Sequence, residues 1–332
     1  MSMNILLLCG GDGAEHSVSV RSADFIEQKL AENPDFRIIR CTLHNHGLET
    51  PAGWAWFNAD AAFCYGNRSL KIDCAVPCLH GYPGETGDIQ SLLEFLNIPY
   101  IGCGSEASRN CFNKITTKLY LNALGIPNSP FAAIARDNEA GRQRALEFFD
   151  HWQDIYVKAA SQGSSVGCYH VRTREEVLPR LTDAFKYSTE VLLEKNIRHR
   201  ELETAAYELN KELIVTRPGE IIMPENVFYT YEEKYSDQSG TTTTTEPEGL
   251  TEDTVQKLQE LARLAFTGLK LRDLSRIDFF LSEEDGLLIN EINTFPGQTS
   301  ISMFPKLLEH HGDSMCEFLT QAIGRAMARR QI

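Results

Sequence analysis

Apolar residues in this chain fall into short blocks separated by glycine and proline turns. Ile5–Cys9 is an unbroken apolar run leading into Gly10-Gly11-Asp12-Gly13. Such a run, bounded by turn residues, is the pattern of a strand buried on both faces. Helical spacing then predicts a helix from about Glu15 to Leu30. Phe36–Cys41 predicts a second strand, followed by a connection containing Trp and Asn, and Cys74–Leu79 a third strand ending at His80. A helix over Asp88–Leu96 and a short strand at Tyr100–Ile101 complete an open α/β unit. Past a break at Gly102–Gly104, with Ser105 as a helix cap, Asn113–Leu124 predicts a helix stopped by Gly125-Ile126-Pro127. Strands Phe131–Ala135, Ile155–Ala159, Val166–Val171 and Glu190–Glu194, with helices Glu139–Phe149 and Arg174–Phe185, suggest a second α/β layer.

From Arg200 the strands lengthen: Glu201–Glu208, Glu212–Val215 and Gly219–Ile222. Tyr229–Tyr235 precedes Ser236–Gly249, whose polar run Thr241–Thr245 predicts a mobile loop over a site or plain disorder. An amphipathic helix covers Thr251–Lys270, Met303–His310 follows a Pro-Gly turn, and a final helix spans about Ser314–Arg330. Its helical spacing turns Met315, Phe318, Leu319, Ala322, Ile323 and Met327 inward, and Arg325, Arg329 and Arg330 complement its C-terminal dipole.

The most informative pattern is Leu274–Ser300, where apolar runs Ile277–Leu281 and Leu287–Ile292 flank Asp285-Gly286, a hairpin signal. Strand alternation puts Arg276, Asp278 and Phe280 on one face, and Leu287, Ile289, Glu291 and Asn293 on one face of the return strand. With Asp285-Gly286 as the loop, Asp278 sits opposite Asn293; with Glu284-Asp285, opposite Glu291. Either register gathers two carboxylates and an amide oxygen, a hard donor set suited to Mg²⁺ beside phosphates. A surface hairpin with solvated acids is the bland alternative. Interleaving with apolar positions weakens it.

Composition narrows the class. A chain of 332 residues calls for two or three domains. A hydrophobic content of 42% with 23% charged residues describes a soluble globular protein. A net charge of −14 without a basic cluster speaks against nucleic acid, and no apolar run reaches membrane-spanning length. Nine cysteines scattered without a secretory signal favour reduced thiols in a cytoplasm, with Cys74 and Cys78 as packing residues.

Three further stretches carry chemistry. The glycine turn after the first strand is a ready anion cradle, though a plain tight turn explains it equally. Glu15, at the helix start, would cap the first turn or receive an ammonium group. The loop His80-Gly81-Tyr82-Pro83-Gly84-Glu85-Thr86-Gly87 falls at the same sheet edge, so His80 is either a cleft residue or a structural histidine. Lys158 leads into a Gly/Ser stretch ending at Gly167, the make-up of a mobile phosphate clamp or of a simple surface hairpin.

Taken in order, the glycine turn with Glu15, His16 and Ser19, the His80–Gly87 loop, Lys158–Gly167, Arg276-Ile277-Asp278 and Asn290–Gly297 resemble the D-alanine–D-alanine ligase family, ADP-forming members of the ATP-grasp superfamily. The likeness covers nearly the whole chain. It implies α/β and α+β layers in a three-domain ATP-grasp architecture: an N-terminal open, Rossmann-like α/β domain over 1–104, a central subdomain over 105–194, and a C-terminal subdomain over 195–332 carrying the metal site. It further implies Asp278, Glu291 and Asn293 as ligands of two Mg²⁺ (or Mn²⁺) ions, and Lys114, Lys158, Lys234 and Ser165 at the ATP phosphates. Glu194, Lys195 and Ile197 would meet adenine, and Glu201 the ribose. Glu15 would hold the first D-alanine's ammonium in a triad with Ser164 and Tyr235, with His80 nearby. Arg276 and the Gly297 backbone would stabilise the oxyanion. Ser302 and Met303 would bind the second carboxylate.

The activity so implied is ATP-dependent joining of two D-alanines through a D-alanyl phosphate, for peptidoglycan precursors. The resemblance also implies a cytoplasmic homodimer with D-alanine and ATP as its small-molecule partners, no nucleic acid or membrane, and room for an activating monovalent cation. Ser161–Gly167 and Tyr231–Gly249 are the expected closing lids. Departures from the family pattern are Thr86, Gln298 and the Thr run, and they bear on the second substrate and lid order rather than on ATP chemistry. A sibling ligase with another second substrate, such as D-lactate, and a non-catalytic ATP-binding regulator are the alternatives. Tyr235, where ester-forming members tend to carry histidine, favours the dipeptide.

Overall fold

The computed structural model describes residues 2–11, 13, 15–45, 47–222 and 241–329. The stretch Tyr229–Tyr235, with Lys234 and Tyr235, lies outside the described residues, as does Arg330.

The first sheet is built on β1 (Met3–Gly10), the apolar run expected there. Its outlet feeds α1 (His16–Ala31), and β2 (Phe36–His44) returns parallel to β1. The connection after β2 is a correction. Where the sequence predicts no element, it forms an antiparallel meander: β3 (Gly47–Thr50), β4 (Gly53–Phe57), β5 (Phe63–Tyr65) and β6 (Arg68–Leu70). Trp54 and Trp56 face out while Ala55 faces in, so the period-two signal was present but carried by a small residue on the buried side. β7 (Cys74–Pro77) completes the order β6-β5-β4-β3-β2-β1-β7, parallel only around β1. After α2 (Asp88–Phe95), Tyr100 makes a single bridge to Ala75 rather than a strand.

Two short helices, α3 (Ser105–Phe112) and α4 (Lys114–Ala123), meet at Asn113, whose side chain accepts the Thr116 N–H and caps the second. The second sheet contains β8 (Phe131–Ile134), β9 (Ile155–Ala159), β10 (Cys168–Val171) and β11 (Val191–Lys195) in the antiparallel order β10-β9-β11-β8. Helices α5 (Glu139–Trp152) and α6 (Arg174–Ala184) bury Phe149, Val177 and Leu181 against it. The first runs to Trp152, past the expected Phe149, because Gln153 supplies the left-handed cap at φ 63°.

The third sheet joins β12 (Arg200–Leu209), β13 (Glu212–Val215), β14 (Gly219–Ile222), β15 (Thr242–Thr244), β16 (Leu274–Ser282) and β17 (Gly286–Asn293). The threonine run corrects a second expectation, since Thr242–Thr244 pair with Glu220–Ile222 as an edge strand. β-branched side chains fit that surface without needing a core. Helix α7 (Glu252–Gly268) covers one face, packing Leu258, Ala262 and Phe266 in one cluster with Leu202, Ile277 and Ile289.

Helices α8 (Met303–His311) and α9 (Met315–Ala328) then return to the first sheet, joining Ile5, Leu7 and Cys9 to Tyr207, Phe304 and Phe318 in one core. Met327, expected inward, is 42% exposed; Ala326 takes the inner position one residue earlier on the helix. Buried Asp273 fastens these layers: its carboxylate accepts from the Gly102 N–H (2.8 Å), Arg325 (3.2 Å) and Arg329 (2.5 Å). All nine cysteines are free, and Cys74 and Cys78 are fully buried packing residues whose thiol pKa values burial pushes up.

Candidate active-site cleft

The three sheets enclose a cleft of about 1000 Å³, lined by the edge of α1, the β9–β10 loop, β11, β12 and the β16–β17 hairpin. The hairpin turns over three residues, 283–285, because Ser282 pairs with Gly286. Neither expected two-residue loop forms. Left alone, that register would miss Glu291, but a bulge at Asn290 shifts it by one, so Asp278 faces Glu291 and Arg276 faces Asn293. The bulge also splits the expected face. Leu287 and Ile289 pack under α7 with Ile292, whereas Glu291 and Asn293 turn to the cleft with Asp278.

On β12, Glu203 stands opposite Asp278, so three carboxylates line up across neighbouring strands. Like charges placed this way repel, and the arrangement demands cations. Arg276 is one: it donates to both Asp278 oxygens (2.7 and 2.8 Å) and lies 3.3 Å from Glu203. Burial opposes its charge, but Asp278 and Glu203 outweigh that and raise its pKa well above the ordinary value. Lys114 is a second, 3.4 Å from Glu291, with its Nζ also donating to the Gln162 carbonyl at 2.7 Å. Asn293 donates to Asp278 at 3.0 Å. Among the described residues no three His, Cys, Asp or Glu side chains form a metal-holding group. Two facing carboxylates with an adjacent amide nevertheless fit a hard cation that keeps water and phosphate oxygens as its other ligands.

Opposite the hairpin, Lys158 on β9 pairs with Glu194 on β11, and Glu194 also takes Lys118 at 2.7 Å and the Ser129 hydroxyl at 2.5 Å. Burial by itself would raise the Glu194 pKa, but Lys118 and Lys158 hold it far below the usual carboxylate range. The same carboxylate raises Lys158 against its burial. Lys195 and Ile197 continue this wall. Ile197, Phe280 and Leu288 form an apolar pad, His199 lies against Phe280 with ring centroids 3.6 Å apart, and the His199 ring nitrogen is 3.5 Å from Glu201. A flat apolar floor beside carboxylates suits a purine and its sugar.

At the other end Glu15 precedes α1 without capping it through its side chain. Ser164 donates to Glu15 at 2.6 Å from a loop in which Ser164 and Ser165 both hold positive φ. The glycines Gly81 and Gly163 crowd the same carboxylate: a Cβ on either would stand 2.7 or 3.0 Å from Glu15 Oε2. His80 is buried and held at both nitrogens, by Ser22 (3.0 Å) and the Phe295 carbonyl (3.1 Å). Burial lowers its pKa, so it is a neutral pin beneath the cleft. Gly297 is pressed against Ser302, whose hydroxyl meets the Thr299 N–H at 3.1 Å. Met303 lines the cleft but is 5% exposed and belongs to the α8 core.

The structure therefore brings together Glu15, His80, Lys114, Lys158, Ser164, Ser165, Glu194, Lys195, Ile197, Glu201, Arg276, Asp278, Glu291, Asn293, Gly297, Ser302 and Met303 around one cleft. Sequence reading missed Lys118, Glu203 and Glu85. Alternation from Glu201 to Glu203 along one strand carried a signal for the second, while Lys118 sits in a helix without one.

Comparison with known proteins falls on the same chemistry. A family model for the D-ala D-ala ligase C-terminus matches residues 120–324, and one for the N-terminus matches 51–103. A D-alanine–D-alanine ligase of Aeromonas salmonicida is 50% identical, covering 97% of this chain and 98% of that protein. The crystal structure of D-alanyl-alanine synthetase A from Vibrio cholerae superposes with a TM-score of 0.94 at 48% identity, covering 99% of each chain. VanG D-Ala:D-Ser ligase from Enterococcus faecalis superposes at 0.86 with 26% identity, over 98% of this chain and 100% of that one.

Proposed function

The chain belongs to the D-alanine–D-alanine ligase family, and from that premise we propose that it joins two D-alanines, with ATP converted to ADP and phosphate, inside the cleft between its three sheets. The product serves peptidoglycan precursor synthesis. One observation carries the reading: Arg276, Asp278, Glu291 and Asn293 share one wall of the cleft with Lys114 beside them, and Lys158 lines the same cleft. Phosphoryl transfer needs cationic groups on both sides of the transferred group.

Family members use ATP with a divalent metal. Our reading assigns two Mg²⁺ (or Mn²⁺) ions to Asp278, Glu291 and Asn293, where they would neutralise phosphate charge. Lys114 and Lys158 hold the phosphate oxygens, Glu194, Lys195 and Ile197 the base, and Glu201 the ribose. Glu15, oriented by Ser164, receives the ammonium of the first D-alanine and leaves its carboxylate directed at the γ-phosphate. The D-alanyl phosphate so formed is a mixed anhydride, which the amine of the second D-alanine attacks. Arg276 and the Gly297 N–H face the developing oxyanion; loss of one such donor typically costs ~10²–10³ in rate. Ser302, at the head of α8, meets the second carboxylate with Met303 beside it. Lys234 and Tyr235, outside the described residues, complete the phosphate set and the Glu15 triad in this reading. Acyl phosphates hydrolyse, so the Ser161–Gly167 loop is assigned as a lid.

We further propose domain limits at 104/105 and 194/195, a homodimer, and a cytoplasmic setting. No described helix is long and apolar enough to cross a membrane. A coupled ADP-release assay with D-alanine, L-alanine and D-lactate side by side tests the function. D-alanine alone should give rapid release; preferential use of D-lactate as second substrate near neutral pH would overturn the dipeptide reading.

A further inference from the structure

Lys118 is 1% exposed, in helix α4, one turn beyond Lys114. A buried ammonium is costly unless paired. Here its Nζ lies 2.7 Å from Glu194 Oε1, within 3.3 and 3.4 Å of the Ser129 hydroxyl and carbonyl, and 5.7 Å over the Phe131 ring. Lys158 takes the other oxygen, Oε2. One carboxylate is thus divided between two ammonium groups, and only the second of those opens to the cleft. Burial lowers the Lys118 pKa, but Glu194 at 2.7 Å opposes that and favours the charged ammonium, so the cluster carries two positive charges and one negative, a surplus of one.

We infer that Lys118 is a positioning residue for the nucleotide: by occupying half of Glu194 it stops that carboxylate from neutralising Lys158, whose charge stays available to phosphate. This rests on the reading that phosphates lie against Lys158. Lys118 touches no substrate itself. Its removal would leave Glu194 paired with Lys158 alone, the cluster neutral, and the phosphate site without its attraction.

The test is calorimetric titration of the full chain with Mg²⁺ATP and, separately, with adenosine. Lys118→Met should weaken ATP by about tenfold, the equivalent of one lost charge contact, and leave adenosine within about twofold. Adding Glu194→Gln to Lys118→Met restores the surplus charge, so the ratio of ATP to adenosine affinity should return most of the way to the parent's, with adenosine reporting separately whatever Glu194 contributes to the base. Equal losses for ATP and adenosine in Lys118→Met, or a folded double variant whose ratio is no better than the single one's, would overturn the inference in favour of plain packing. Should Lys118→Met fail to fold, the charge-balanced double variant still decides, because its ATP-to-adenosine ratio should match the parent's. Lys158→Met separates the two levels. Unchanged ATP binding there overturns the phosphate reading itself, while a loss there beside an unchanged Lys118→Met overturns only the role of Lys118.

Discussion

His80 and Phe295 are joined by a 3.1 Å hydrogen bond from imidazole to backbone carbonyl, across 215 positions of sequence. A carbonyl accepts only, so Nδ1 carries a proton, and burial favours the neutral ring by lowering its pKa. In that form Nε2 accepts from the Ser22 hydroxyl, which in turn accepts the Gln298 N–H at 3.1 Å. The relay ties the N-terminal sheet to the turn that carries Gly297. Ser22→Ala strips a partner from both neighbours, and an orphaned buried polar group costs about 1–3 kcal/mol. Urea unfolding should show that loss, and the KM for D-alanine should rise as the Gly297 turn loosens. A variant as stable as the parent would mean the relay is incidental.

Glu85 gives the unliganded protein a pH signature. Burial, then the neighbouring Glu15, pushes its pKa from 4.5 up to about 8, with the Gly81 N–H as partial compensation. Between those values the folded chain holds a proton that the unfolded chain releases. Stability from this group is full below 4.5 and falls as pH rises through about 8. Glu85→Gln keeps an acceptor for Gly81 without the charge. Urea midpoints measured at pH 5 and pH 8.5 should converge in that variant relative to the parent; an unchanged gap would place the titration elsewhere.

The hairpin prediction concerns Glu291. Its carboxylate is one of three aligned across β12, β16 and β17, so removing it relieves repulsion while depriving Lys114 of a partner. Glu291→Ala should fold with a melting temperature close to that of the parent, yet ADP release should drop below detection. Turnover within tenfold of the parent would refute the metal assignment.

How much of this was legible beforehand divides by range. Apolar runs such as Ile5–Cys9 and the stripe of α7 declared themselves, because burial on a regular element repeats at a fixed period. The meander at 47–70 was hidden by strands of three to five residues, too short for periodicity to accumulate. Composition misled at Thr242–Thr244, where the edge of β14 supplied a partner that no local pattern announces. The Asn290 bulge escaped because alternation was assumed unbroken, although it is what returns Glu291 to Asp278. The site's charges were mostly visible. Lys118 was not, since a lone lysine in a helix ordinarily faces solvent and only the tertiary fold places Glu194 beneath it.

The sharpest prediction turns on the two glycines that press on Glu15. At Gly81 the backbone is left-handed, with φ +63°, so an added Cβ would bring strain as well as a 2.7 Å approach to Glu15 Oε2, and loss of function there would be ambiguous. Gly163 is free of that complication: the nearest atoms an added Cβ would meet among the described residues are the same oxygen at 3.0 Å and Oε1 at 3.4 Å. Gly163→Ala should therefore fold normally and displace the carboxylate that Ser164 holds at 2.6 Å. That carboxylate must give by a few tenths of an ångström, which should raise the KM for the first D-alanine by roughly threefold or more, since positioning errors near 1 Å cost up to ~10² in rate. The KM for ATP should stay put, because the nucleotide lies at the Glu194 end of the cleft in this reading. Steady-state kinetics with each substrate varied in turn separates the cases. An unaltered D-alanine KM would show that Glu15 is not the ammonium acceptor, whereas a parallel rise for both substrates would point to a distorted loop rather than a displaced carboxylate.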